Sequence, residues 1–139
     1  MIFVDSNIWA YYFDEEAPEH KYVIRPLERA LREEEIAINT VIIMEVAHFL
    51  VKNLGAELGR KKLGVFLGFP FRVVELTQQL ALTSVRLLAA YSHLGIGGRD
   101  ATILAAMREL GINTIMTHDK AFRRVPGIRV IDPIPDASP

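Results

Sequence analysis

Four carboxylates carry the chemistry this sequence offers. Asp5 ends the apolar run "MIFVD", and Asp119 ends a second one, "INTIMTHD". Asp100 opens "RDATILAAMREL", and the residues three, four and seven further on are Ile103, Leu104 and Met107. Helical spacing therefore puts Asp100 on the face that this helix buries. Glu45 lies in "TVIIMEVAHFLVKN", where Val41, Ile42, Ile43, Met44, Val46, Ala47, Phe49, Leu50 and Val51 predict burial around most of the circumference. Only Glu45, His48 and Lys52 form a polar stripe, facing either solvent or a polar cavity.

Each acid also has an ordinary structural role. Asp5 can cap "SNIWAYYF", Asp119 can cap or turn the chain before "KAFRR", and Asp100 suits a helix N-terminus. Taken together they say more. Carboxylates gathered in one pocket repel one another and resist ionisation unless a cation compensates them. A buried, unpaired Asp100 is costly in its own right. An all-oxygen donor set suits a hard ion, so Mg²⁺ or Mn²⁺ is expected rather than Zn²⁺.

The elements that must position these acids alternate between strand and helix. "IFV", "IAIN", "FRVVEL", "INTIMT" and "RVID" read as strands. Helices are expected over "SNIWAYYF", from the end of the acidic loop "DEEAPEH" to Glu35 with a break or restart at Pro26, and over "TVIIMEVAHFLVKN" up to Gly55. "AELGRKKLGVFLG" is weakened as a helix by its glycines, whereas "TQQLALTSVRLLAAYSHLG" and "RDATILAAMRELG" each run to a terminating glycine. This predicts an α/β fold, a mostly parallel sheet flanked by helices on both faces, in one domain over residues 1–139. Ligands of such sheets sit beyond the carboxyl ends of the strands, where Asp5 and Asp119 both lie.

Composition narrows the classes. With 139 residues, 50% hydrophobic and 24% charged, a substantial core is expected. The absence of cysteine excludes disulfides, zinc-thiolate sites and iron–sulfur clusters. No apolar run is long enough to span a bilayer and no signal-peptide pattern opens the chain, so a cytoplasmic location without membrane association is expected. The net charge of -1 hides an asymmetry: residues 1–58 hold eleven Asp/Glu against five Lys/Arg, and residues 59–139 hold six against eleven. The basic half includes Arg60, Lys61, Lys62, Arg99, Lys120, Arg123, Arg124 and Arg129, some of which could meet phosphates if they share a face.

"FVDSNIW", the run from Thr40 to Glu45, "GGRDATILAA" and "THDKAF" resemble, in order and spacing, the four acidic motifs of PIN-domain ribonucleases. The resemblance spans nearly the whole chain, whose length looks most like the VapC-type toxins of toxin–antitoxin pairs. It implies that Asp5, Glu45, Asp100 and Asp119 are the catalytic, metal-holding acids, with Asn7 and Thr117 in support; Ser6 reads as a helix-start residue and Thr40 as a cap. It implies a Mg²⁺- or Mn²⁺-dependent endoribonuclease acting on single-stranded RNA, a homodimer, and a cognate antitoxin. Some relatives carry a further acid within a turn of the third motif, where Ile103 and Leu104 stand here.

Competing readings rest on the same residues. A haloacid-dehalogenase-like phosphatase would use Asp5 as nucleophile and want a second Asp at the position of Asn7, and a receiver domain would want an acidic pair in the first motif. A catalytically inactive PIN-like RNA binder needs only the architecture. Glu45 and His48 have Glu-x-x-His spacing in one copy, His118 sits where strand alternation turns it away from its neighbours, and "GIGGRD" matches no phosphate-loop fingerprint and reads as the turn that delivers Asp100. Trp9, Tyr11 and Tyr12 could stack on bases or pack into the core, and "FLGFPF" could bury itself or meet another subunit.

Overall fold

The computed structural model describes residues 1–136. Of the proline-containing tail, residues 137–139 lie outside the described part. Five strands, β1 (Ile2–Val4), β2 (Ile36–Asn39), β3 (Arg72–Val74), β4 (Thr114–Met116) and β5 (Arg129–Ile131), form one sheet in the order β3-β2-β1-β4-β5. Every pairing is parallel, with Phe3 opposite Ala37 on one side and Ile115 on the other. Strands β1 and β2 are buried at every position, which is why they read as unbroken apolar runs without alternation.

The described residues also form six α-helices: α1 (Ser6–Phe13), α2 (His20–Glu33), α3 (Thr40–Leu54), α4 (Ala56–Leu67), α5 (Gln78–Tyr91) and α6 (Gly98–Leu110). They fall into two groups, α1 to α4 packed on one another and α5 packed on α6. Because the chain steps one way along the sheet from β1 to β3 and the other way from β3 to β5, the right-handed rule for parallel crossovers assigns the groups to opposite faces. From β1 the chain steps outward through β2 to β3, then crosses back to β4 on the other flank of β1. The order therefore reverses between β1 and β4, the position at which parallel sheets open a crevice. The Asp5 amide donates to the Met116 carbonyl at 3.0 Å and closes the two strand ends together there.

Three sequence expectations change. Helix α2 runs through Pro26 without a break. Its buried stripe of Val23, Leu27 and Ala30 spans both sides of the proline and holds the two halves in one line. Helix α4 is a full three turns despite its glycines, because Gly59 is a packing requirement: a Cβ there would stand 2.5 Å from the Leu50 carbonyl oxygen of α3. Helix α3 is less buried than its composition suggests. Ile42, Val46 and Leu50 face the core, whereas Met44 is 68% exposed and Val51 42%.

The core beneath the crevice is aromatic. Trp9 is wholly buried, donates Nε1–H to the Val4 carbonyl at 3.3 Å, and packs with ring-centroid distances of 5.1 to 5.8 Å on Phe66, Phe69 and Phe71. The three phenylalanine rings of "FLGFPF" thus pack on Trp9, Phe66 fully buried and the other two half-buried, while Leu67 is 52% exposed; core packing is the fate of the Trp9 ring. Burying a ring such as Phe66 contributes roughly 1.5–3 kcal/mol, enough to fix α1 and the residue before it, Asp5.

Candidate metal centre

Asp5 emerges from β1 at the crevice with no solvent exposure. One carboxylate oxygen, Oδ1, accepts the Ser6 amide at 2.7 Å; the other, Oδ2, accepts the Thr117 hydroxyl at 2.7 Å. The Thr117 Oγ1 atom in turn accepts the Asp119 amide at 3.0 Å and the Asn7 side-chain amide at 3.4 Å. Asn7 Oδ1 takes the His118 amide at 3.4 Å. Asn7 and Thr117 therefore tie the end of β4 to the end of β1. Asp119, half-buried, caps the following one-turn 3₁₀ segment Lys120–Arg124 by accepting the Ala121 amide at 2.9 Å.

Asp100 is 8% exposed and shares the buried face with Ile103, Leu104 and Met107, as helical spacing requires. Its Oδ2 accepts the Gly97 amide at 3.1 Å, so the "GIGGRD" glycines act as the turn that delivers it. Glu45 projects from α3 with its side chain 34% exposed. The polar stripe of α3 thus divides: Glu45 faces the crevice, while His48 is exposed.

What gathers these acids is Arg99, which sequence reasoning placed only among possible phosphate contacts. Its Nε donates to both Glu45 oxygens at 2.9 Å, its Nη1 to Asp100 Oδ1 at 2.7 Å, and its Nη2 to Asp5 Oδ1 and to Ser6 Oγ at 3.0 Å. One planar fork thus meets three carboxylates from β1, α3 and α6. Burial works against the charge on Arg99, but Asp5 and Glu45, with hydrogen bonds to Asp100 and Asp5, more than offset it and hold its pKa above the ordinary arginine range. Asp119 stands outside this fork and joins it only through Thr117. A signal for Arg99 was present in the sequence: a cation in the first turn of a helix opposes the helix dipole, and so wants an anionic partner.

A second pair escaped the sequence reading. Asp132, its side chain 4% exposed, follows β5 as Asp5 follows β1. It accepts His118 Nδ1 at 2.9 Å, Arg123 Nη2 at 3.2 Å and the Ile134 amide at 3.0 Å. The His118 ring also meets Tyr11 edge-on at 6.4 Å. Thr40 is no cap, since Asn39 Oδ1 caps α3 through the Ile42 amide at 2.9 Å while Thr40 Oγ1 accepts from Leu76 on the neighbouring connection.

The family model described as the PIN domain matches residues 2–128, from β1 to the residue before β5. The chain belongs to the PIN domain family. Its fold agrees with several solved structures. A VapBC2 complex from Rickettsia felis bound to a promoter DNA fragment matches at TM-score 0.73 and 20% identity, over 95% of this chain and 98% of that one. VapC20 of Mycobacterium tuberculosis, described as a sarcin–ricin loop cleaving toxin, matches at TM-score 0.73 and 21% identity, over 88% and 93%. A toxin–antitoxin complex from Klebsiella pneumoniae matches at TM-score 0.70 and 24% identity, over 96% and 98%. At these identities the likeness is one of fold. No curated protein sequence matches the chain. Asp5, Glu45, Asp100 and Asp119 all lie within the matched residues, while Asp132 lies beyond them.

The donor set suits a hard cation: oxygen ligands only, two of the carboxylates almost wholly buried, and three of them already sharing one positive group. Among the described residues, no three His, Asp or Glu side chains stand close enough together to hold an ion unaided. The Arg99 guanidinium lies between three of these carboxylates and pairs with each. Among the described residues, no helix is long and apolar enough to cross a membrane.

Proposed function

We propose that this chain is a divalent-metal-dependent endoribonuclease that cuts single-stranded RNA and serves as the toxin of a toxin–antitoxin pair. The observation that carries the reading is the convergence of Asp5, Glu45 and Asp100 on one cationic group at the switch point of the sheet, with Asp119 tied in through Thr117. A PIN toxin that cleaves the sarcin–ricin loop, and several VapBC and FitAB complexes, share the fold.

Asp5, Glu45, Asp100 and Asp119 are the residues that would hold Mg²⁺ or Mn²⁺. When bound, such an ion neutralises charge on the scissile phosphate and makes water a competent nucleophile at neutral pH. The chain's own part is positional. Asp5 is fixed by Thr117 and by the Ser6 amide, Asp100 by the Gly97 amide, and Asp119 by the Ala121 amide. In this reading water, not a side chain or the RNA 2′-hydroxyl, attacks the phosphorus in line and the P–O3′ bond breaks, which would leave a 3′-hydroxyl and a 5′-phosphate. A phosphatase using Asp5 as nucleophile is disfavoured, because both Asp5 oxygens are engaged and the carboxylate has no exposure.

One observation favours the second reading, a catalytically inactive RNA binder: Arg99 already pairs with three of the four acids. The two readings separate on single-stranded RNA incubated with the pure chain, with Mg²⁺ or with chelator. Cleavage that needs the ion supports the enzyme, whereas tight RNA binding without product under any divalent ion supports the binder. The cytoplasm is the compartment in which such a toxin would meet RNA, and a homodimer and a cognate antitoxin are its expected assembly.

A further inference from the structure

We propose that Arg99 is the resident counter-cation of the acidic centre, and that a divalent ion enters only by exchange with its guanidinium. This rests on the reading of Asp5, Glu45 and Asp100 as metal-holding acids. The argument is one of oxygens. Asp5 Oδ2 is committed to the Thr117 hydroxyl and Asp100 Oδ2 to the Gly97 amide. The other oxygens, Asp5 Oδ1, which also accepts the Ser6 amide at 2.7 Å, and Asp100 Oδ1, are the two that Arg99 holds, and its Nε takes both oxygens of Glu45. While the fork is in place, the guanidinium stands among the three carboxylates, where an ion shared by them would have to sit.

Mobility and charge make the exchange feasible. Arg99 keeps 30% of its side chain exposed, on a long flexible stem, so it has a way out toward solvent. Asp5 and Asp100 are anchored on rigid elements by bonds that do not involve it. One guanidinium set against three carboxylates leaves an excess of negative charge, which a divalent ion compensates better. Binding is then a competition: the apparent affinity equals the affinity of the open centre multiplied by the fraction of molecules in which Arg99 has left. Arg99 thus pairs with the acids without metal, and sets the ion concentration at which the centre loads.

The test is Mn²⁺ binding to the full chain, followed by electron paramagnetic resonance of the free ion, for wild type and Arg99→Ala. Salt of about 0.3 M screens the long-range attraction that loss of a positive charge would add. Arg99→Ala is expected to bind Mn²⁺ at least about tenfold more tightly than wild type. Equal or weaker binding overturns the proposal. A second measurement needs no variant: in ¹⁵N-arginine-labelled wild type, the Arg99 Nε–H is expected to be protected without metal and to lose that protection as Mg²⁺ saturates. An unchanged signal at saturation overturns it as well. RNA cleavage is read separately. Tighter Mn²⁺ binding without cleavage leaves the exchange standing and removes the ribonuclease reading; cleavage by a wild type whose affinity Arg99→Ala does not improve does the reverse.

Discussion

Replacing Thr117 by Val deletes one hydroxyl and keeps the shape of the side chain. That hydroxyl is fully buried, donates to the buried Asp5 carboxylate at 2.7 Å and accepts the Asp119 amide at 3.0 Å. A hydrogen bond to a charged group is worth roughly 1.5–3 kcal/mol, and the Asp119 amide, half-buried, would lose its acceptor at a cost near 1 kcal/mol. Together these predict a loss of about 3 kcal/mol, close to 10 °C in Tm for a domain of this size. Urea unfolding followed by the fluorescence of Trp9, the one tryptophan in the chain, measures this directly. Thr117→Ser retains the hydroxyl and should lose no more than about 1 kcal/mol, the worth of one methyl group. A Thr117→Val protein within about 0.5 kcal/mol of wild type would refute the role given to this residue as the clasp between β1 and β4.

Other expectations concern the frame and its pH range. Gly59→Ala forces a methyl to 2.5 Å from the Leu50 carbonyl, so α3 and α4 must part; a loss of roughly 1–3 kcal/mol in chemical denaturation is expected, whereas Gly64→Ala, where the added methyl meets nothing, should be neutral or stabilising. Burial, then the hydrogen bond to Glu28 at 3.1 Å and the charge of Glu28, raise the pKa of Tyr12 above its ordinary value of 10.0. The folded state holds that proton more tightly, so this contribution to stability is whole below the ordinary tyrosine pKa and disappears as pH rises through the raised value. Ultraviolet titration should show two late tyrosines, Tyr11 and Tyr12, of which Tyr12→Phe removes one and Glu28→Gln moves that same one back toward 10.

Much of this was legible in the sequence because burial on two faces writes itself as apolar runs. "IFV" and "IAIN" proved to be central strands, and the spacing of Ile103, Leu104 and Met107 correctly placed Asp100 inside. The missed features depend on distances that no local pattern encodes. Arg99 resembles a surface cation until Asp5, 94 positions away in the chain, and Glu45, 54 away, are brought to it. Asp132 repeats the pattern of Asp5, an acid closing an apolar strand, yet "RVID" read simply as the last strand. Gly59 looked like a weakness in a helix, since only the opposing backbone of Leu50 shows why a side chain is forbidden there. The exposure of Met44 and Val51 has the same origin: α3 packs between α1 and α4 and leaves its outer face open, a matter of tertiary placement rather than of periodicity.

The central claim is that the acids gathered around Arg99 form a metal-dependent ribonuclease centre. The most direct test is the rate of single-stranded RNA cleavage in Mg²⁺ by wild type, Asp5→Asn and Asp100→Asn, with circular dichroism to confirm that each is folded and with end-group analysis of the products. The account predicts cleavage by wild type that leaves 3′-hydroxyl ends and stops with chelator, and a loss of at least about 100-fold in either variant. Cleavage that persists in chelator, or that both folded variants retain, would contradict it.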